Sequence, residues 1–181
     1  MREEEILWDA VKDLPSLQHG RTRLMYAAKT GDVARLRWLL ARDARPDLAD
    51  SDGRTALYWA AKEGHAEAAR LLLTRGAAVD APTAYGARPL YIASFHGHAA
   101  VVRELLARGA AVDAAINTGA TPLLMASQEG NLEVVRVLLA SGASPRTAAN
   151  NGATALSCAT ASGHAAVPAL IRAALEMGLG Q

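Results

Sequence analysis

Gly20, Gly53, Gly86, Gly119 and Gly152 stand 33 residues apart, and so do Gly31, Gly64, Gly97, Gly130 and Gly163. A third series, Gly76, Gly109 and Gly142, keeps the same period and leaves only Gly178 and Gly180 of the 15 glycines outside it. Self-similarity at such a period is the mark of an array of stacked copies of one supersecondary unit, each too small to bury its apolar face alone. No reading of local structure that breaks this period can be right.

Each glycine series has a backbone reason. The first sits in a tight turn before a helix, where φ > 0 is required; the second follows "AAK", "AAKE" or "SQE" and reads as the left-handed residue that ends that helix. The third ends a longer helix carrying "RLLL", "RELL" or "RVLL". One unit is therefore turn, helix, short loop, helix, long loop. Between the first two glycines, a threonine accepts the first free N–H groups as N-cap, and a proline next to it has the right φ and no N–H to waste, as in Thr121 and Pro122. After the second glycine come Asp32, His65, His98, Asn131 and His164, polar groups expected to cap the second helix of their own unit.

With these motifs in register, the chain resembles the ankyrin-repeat family, whose unit reads roughly G-x-T-P-L-H-x-A-A-x-x-G-H, then V-V-x-L-L-L, then G-A. The resemblance covers residues 17–177 in five copies, at about 17–49, 50–82, 83–115, 116–148 and 149–177. It implies an all-α solenoid of stacked antiparallel helix pairs, with the long loops projecting as β-hairpin fingers. The chain departs from the family at two columns. The histidine of "TPLH" is replaced by Met25, Tyr58, Tyr91, Leu124 and Ser157, and the loop asparagine by Asp47, Asp80, Asp113 and Arg146, which removes the usual asparagine-hydroxylation target.

The ends read as caps. In "REEEILWDAVKDL" the acidic residues lie at the positive helix end and Leu7, Val11 and Leu14 share one face, so residues 1–16 are expected to form a capping helix over the first unit, with Trp8 beside the stripe. At the other end Leu175 replaces the third glycine, so the last helix runs on and 178–181 is a tail.

Composition narrows the function. Half of the residues are hydrophobic (51%) but only 4% are aromatic, which suits closely packed helices of Ala, Leu and Val. A net charge of +1 gives no bulk reason to bind nucleic acid or an anionic membrane. No apolar run approaches the ~18 residues of a membrane span, the acidic start is unlike a basic leader, and the lone Cys158 suits a reducing, intracellular, cytoplasmic setting.

His96 and His98 form an "HGH" pair, but His65, His98 and His164 occupy equivalent positions on units about 8–10 Å apart, too far to share one ion, so no metal site is expected. Cys158 shares its column with Tyr26, Trp59, Ile92 and Met125, and reads as a packed thiol; no phosphate-binding glycine loop exists, and neither catalysis nor a cofactor is expected. Arg37, Arg70, Arg103 and Arg136 repeat at one phase of the second helices, a solvated ladder with Glu67 and Glu133 within pairing distance.

What remains is the concave surface, which in the family is built from finger tips and the exposed edge of the first helices. Carried over by position, it holds Arg54, Trp59, Lys62, Tyr85, Phe95, His96, Gln128 and Glu129. Phe95 stands in a column whose other members are Lys29, Lys62, Gln128 and Ala161, so the fold does not require an aromatic there, and with Tyr85, Arg54 and Lys62 it has the composition of an interface hot spot. The expected function is a non-enzymatic module that binds another protein on this face as adaptor, inhibitor or assembly subunit. The alternatives are a structural subunit embedded in a large complex, or a secreted host-directed effector acting by binding.

Overall fold

The computed structural model describes residues 20–178 and shows ten helices among them. They fall into five pairs: α1 (Arg23–Thr30) with α2 (Val33–Leu40), α3 (Ala56–Glu63) with α4 (Ala66–Thr74), α5 (Pro89–Phe95) with α6 (Ala99–Ala107), α7 (Pro122–Gln128) with α8 (Leu132–Ala140), and α9 (Ala155–Ala161) with α10 (Ala166–Glu176). First helices pack on first helices and second on second, so the pairs stack in chain order as two layers. The capping helix expected over residues 1–16 lies outside the described residues.

The core repeats with the sequence. Leu24, Leu57, Leu90 and Leu123 are buried at 33-residue intervals in the first helices, and Leu39, Leu72, Leu105, Leu138 and Ile171 in the second. Ala27, Ala60, Ala93, Ala126 and Ala159 are also buried, and a methyl at that position lets neighbouring first helices approach closely. Where serine replaces alanine in this packed layer, its hydroxyl is satisfied within its own helix: Ser94 and Ser127 each donate to the carbonyl four residues back, at 2.7 Å.

Threonine opens four of the five first helices. The Oγ1 atoms of Thr22, Thr55, Thr121 and Thr154 accept from the N–H three residues on, at 3.2 to 3.3 Å. In the third unit Arg88 takes that place without a side-chain cap, and Pro89 follows it.

The second polar column behaves differently from the sequence expectation. Asp32 caps α2 through Arg35 N–H at 2.9 Å, but His65, His98, Asn131 and His164 cap nothing. They reach back one unit instead. The Nε2 atoms of His65, His98 and His164 donate to the carbonyls of Lys29, Lys62 and Gln128 at 3.1, 2.9 and 2.9 Å, and Asn131 Nδ2 donates to those of Ser94 and Phe95 at 3.0 and 2.9 Å. A carbonyl only accepts, so in each histidine Nε2 carries the proton. The exposed last-turn carbonyls of one helix have no partner within it, and the next unit supplies one.

The fingers are tighter than β-hairpins. Each turn closes on one pair of backbone bonds, for example Thr83 N–H to Ala87 O at 2.9 Å and Gly86 N–H to Thr83 O at 2.9 Å. No strand forms among the described residues, only an isolated antiparallel bridge between Ala148 and Thr154, because each arm is too short for a ladder. Adjacent fingers are joined by Ala84 N–H to Asp52 O, Asn117 N–H to Tyr85 O and Asn150 N–H to Thr118 O, at 3.0 to 3.1 Å. Further down the loops, Asp47, Asp80 and Asp113 accept from the N–H of Ala78, Ala111 and Ser144 at 2.8 to 3.1 Å, so aspartate ties successive units where the family uses asparagine.

Candidate protein-binding groove

The fingers and the first helices form one continuous face, and its two ends differ in chemistry. Over the first two units it is cationic. Trp59, in α3, is only 3% exposed, because four cations lie over it: Arg21 and Arg54 with guanidinium carbons 4.4 and 4.9 Å from the ring centroid, and Lys29 and Lys62 with ammonium nitrogens at 5.2 and 5.4 Å. Trp59 is therefore a buried floor and not the accessible aromatic that its column suggested; the neighbouring side chains, and not the helix phase, decide its burial.

Asp50 organises this cluster, and sequence reasoning missed it. Its carboxylate is wholly buried: Oδ1 accepts the N–H groups of Asp52 and Arg54 at 3.0 Å each, while Oδ2 meets Arg54 Nε at 2.9 Å and Arg21 Nε at 3.7 Å. Arg54 also reaches Asp52 at 2.5 Å, so the guanidinium proposed for a partner is already committed within the fold. One signal was present: Asp50 aligns with Thr83, and Thr83 Oγ1 accepts Ala87 N–H at 3.1 Å as Asp50 does for Arg54. Beside the cluster, burial pushes the Tyr58 hydroxyl pKa up, with Arg54 opposing, so it stays a neutral phenol.

Over the last three units the face carries little charge. A groove of about 520 Å³ runs between Tyr91, Leu124, Met125 and Gln128 of the first helices and Asn117, Asn150 and Asn151 of the fingers, with Cys158 at its far end. Burial raises the Tyr91 hydroxyl pKa, which leaves it as an uncharged hydrogen-bonding group. Gln128 and Glu129 are exposed and bond to each other at 3.3 Å.

The remaining candidates divide between these ends. Tyr85 stands on its finger with 73% of its surface exposed, its backbone carbonyl tied to the next finger. Phe95, at the end of α5, is half-buried, and its ring meets His96 edge-on at 4.8 Å; no ring contact joins it to Tyr85. His96 stacks on His98 at 6.0 Å, and burial, then the charges of His98 and Lys62, hold its pKa below the ordinary histidine value.

The family profile described as Ankyrin repeats (3 copies) matches residues 24–116 and again residues 112–178. The chain belongs to the ankyrin-repeat family. Ankyrin repeats are generally protein–protein interaction modules. None of the curated proteins compared matches this sequence. Among the described residues of this ankyrin array, no helix is long and apolar enough to cross a membrane. The outer arginine ladder is stitched across units: Glu67 pairs with Arg37 at 3.4 Å and Arg70 at 4.0 Å, and Glu133 pairs with Arg103. These side chains are more than half exposed, so each pair adds little to stability.

Proposed function

We propose that this ankyrin array is a non-enzymatic module that holds one segment of a partner protein along the face formed by its fingers and first helices, as adaptor, inhibitor or assembly subunit. The observation that carries this reading is a division of labour within single residues. Lys29, Lys62, Phe95 and Gln128 give their backbone carbonyls to the next unit, and these carbonyls, not the side chains, make the tie between units. The same column therefore holds a cation, an aromatic or an amide with the same tie between units. Side chains positioned by a rigid scaffold yet not needed by it are where binding specificity is written.

Capture from the native source with the wild-type chain beside a Tyr85→Ala, Phe95→Ala double variant tests it. A partner lost only by the variant, with helical signal and melting temperature close to wild type, supports the groove. A partner retained equally by both moves the binding site elsewhere.

A further inference from the structure

The cationic end of the groove has more to say about what it binds. We infer that the patch over the first two units seats an acidic, unphosphorylated stretch of the partner, its Asp or Glu carboxylates against Lys29 and Lys62, with an uncharged stretch continuing along the groove of the last units. This rests on the groove being the binding face.

Four cations converge on one indole, and the carboxylates among them are used up. Asp50 spends both oxygens on two backbone N–H groups and two guanidinium groups, and Asp52 is bound to Arg54. No ion pair joins Lys29 or Lys62 to a carboxylate among the described residues, yet both ammonium groups are held within 5.4 Å of the Trp59 ring. A lysine resting on an indole has lost part of its hydration, and its attraction for an incoming anion is stronger than that of a lysine free in water. Even with the exposed Glu63 counted beside Asp50 and Asp52, the four cations leave the patch positive. Two buried nitrogens of the patch make no hydrogen bond, Trp59 Nε1 and, though it faces Asp50 at 3.7 Å, Arg21 Nε, and both are donors. The patch offers donors and positive charge, and asks for an acceptor that is negative.

The type of anion follows from which cations are free. A phosphate is recognised best by the fork of a guanidinium; Arg54 is committed to Asp50 and Asp52, and Arg21 is drawn towards Asp50, Nε to Oδ2 at 3.7 Å, beneath the two lysines. What is left is two separate point charges contributed by successive units, which suits single carboxylates spaced along an extended chain. A nucleic acid would need stacking faces and a basic track. Trp59 is covered, and the basic track is missing: the groove of the last units, lined by Tyr91, Asn117, Met125 and Asn150 among others, holds no lysine or arginine.

The probe is a random dodecapeptide library displayed against the full chain at near-physiological salt. Enriched peptides should cluster Asp or Glu at one end, and a synthetic copy with those residues changed to Asn or Gln should bind about tenfold more weakly. A Lys29→Gln, Lys62→Gln variant should weaken the acidic peptide by the same factor and leave the amide copy unaffected. Its helical signal should match wild type, because the backbone carbonyls that hold His65 and His98 are untouched, with melting lowered only slightly by the lost contacts of the two ammonium groups with Trp59. Enriched peptides without acidic clusters, whose binding falls in a Tyr85→Ala, Gln128→Ala variant, overturn this inference and leave the groove reading standing. Tighter binding, by more than about tenfold, when phosphoserine replaces the acidic residues would also overturn it, in favour of a phosphopeptide site. Peptides indifferent to both sets of substitutions, or no enrichment at all, take down both readings.

Discussion

His98 donates from Nε2 to the carbonyl oxygen of Lys62 at 2.9 Å, and its ring lies so close to Gly64 that a β-carbon there would stand 2.6 Å from Nδ1. The glycine that ends one helix and the histidine of the next unit are thus a single fitting. The same is true of Gly31 with His65, Gly97 with Asn131 and Gly130 with His164.

Gly64 and Gly109 separate two demands on glycine. Both have positive φ, 79° and 81°, but nothing lies within 4 Å of a β-carbon at Gly109. Gly109→Ala should cost about 1 kcal/mol for its left-handed backbone alone. Gly64→Ala should cost about 2–3 kcal/mol, because it also displaces His98 from its bond. Urea melts of the two variants decide; equal losses would mean that the ring simply moves aside.

Asp43 occupies the column of Gly76, Gly109 and Gly142, and is the non-glycine residue with positive φ among those described, at 58°. Aspartate tolerates this conformation but does not prefer it. Asp43→Gly should raise stability by about 0.5 kcal/mol after the added freedom of the unfolded chain is set against the relief, and thermal melting reads the sign.

Asn131 does for the fourth unit what histidine does for its neighbours. His98→Ala should lose about 1–2 kcal/mol by leaving the Lys62 carbonyl without its partner. His98→Asn should recover a good part of that loss, since an amide already reaches the Phe95 carbonyl at 2.9 Å from the equivalent place. Failure of the asparagine to do better than alanine would assign the loss to ring packing.

Asp50→Asn removes the charge that two arginines share beneath the finger. The side chains of Arg21 and Arg54 are 22% and 19% exposed, so water offsets only part of the change. A loss of about 2–3 kcal/mol is expected, below the range for a fully buried pair. Chemical denaturation measures it, and a near-neutral result would show that the cations over Trp59 balance one another without the carboxylate.

His96 gives the array a weak sensitivity to acid. Above the ordinary histidine pKa of about 6.5 it is neutral both folded and unfolded, and contributes no pH dependence. As the pH falls, the unfolded chain takes up its proton first, because burial and the nearby His98 and Lys62 keep the folded pKa lower. Stability is therefore lost from about pH 6.5 down through the folded value. His96→Gln should flatten that slope in melts taken at successive pH values, and an unchanged slope would place the effect in other groups.

The layers of the fold were legible because they depend on residue types with few uses. A glycine at a fixed period, a threonine before an apolar run and a buried leucine column each admit one local structure, and Thr55, Leu57 and Gly64 stand where that logic places them. The second polar column was misread for the opposite reason. Capping one's own helix and gripping the previous one use the same side chains, and spacing along the chain does not distinguish a bond three residues ahead from one 36 behind. The groove was legible as a face but not in its detail. Trp59 shares a column with Tyr26, which is 45% exposed, and its burial depends on Arg21, Lys29, Arg54 and Lys62 arriving from two units at once.

Two of the rows of ties between units also have a mechanical meaning. Fingers are joined near the start of each first helix, as in Asn117 to Tyr85, and histidine or asparagine fastens its far end, as in Asn131 to Phe95. A plate pinned at both edges cannot pivot on either, so bending the stack must strain two rows at once. Pulled from its ends, such an array should resist as a stiff spring and then yield at single junctions, one plate at a time, since among the described residues each of these ties reaches only the adjoining unit.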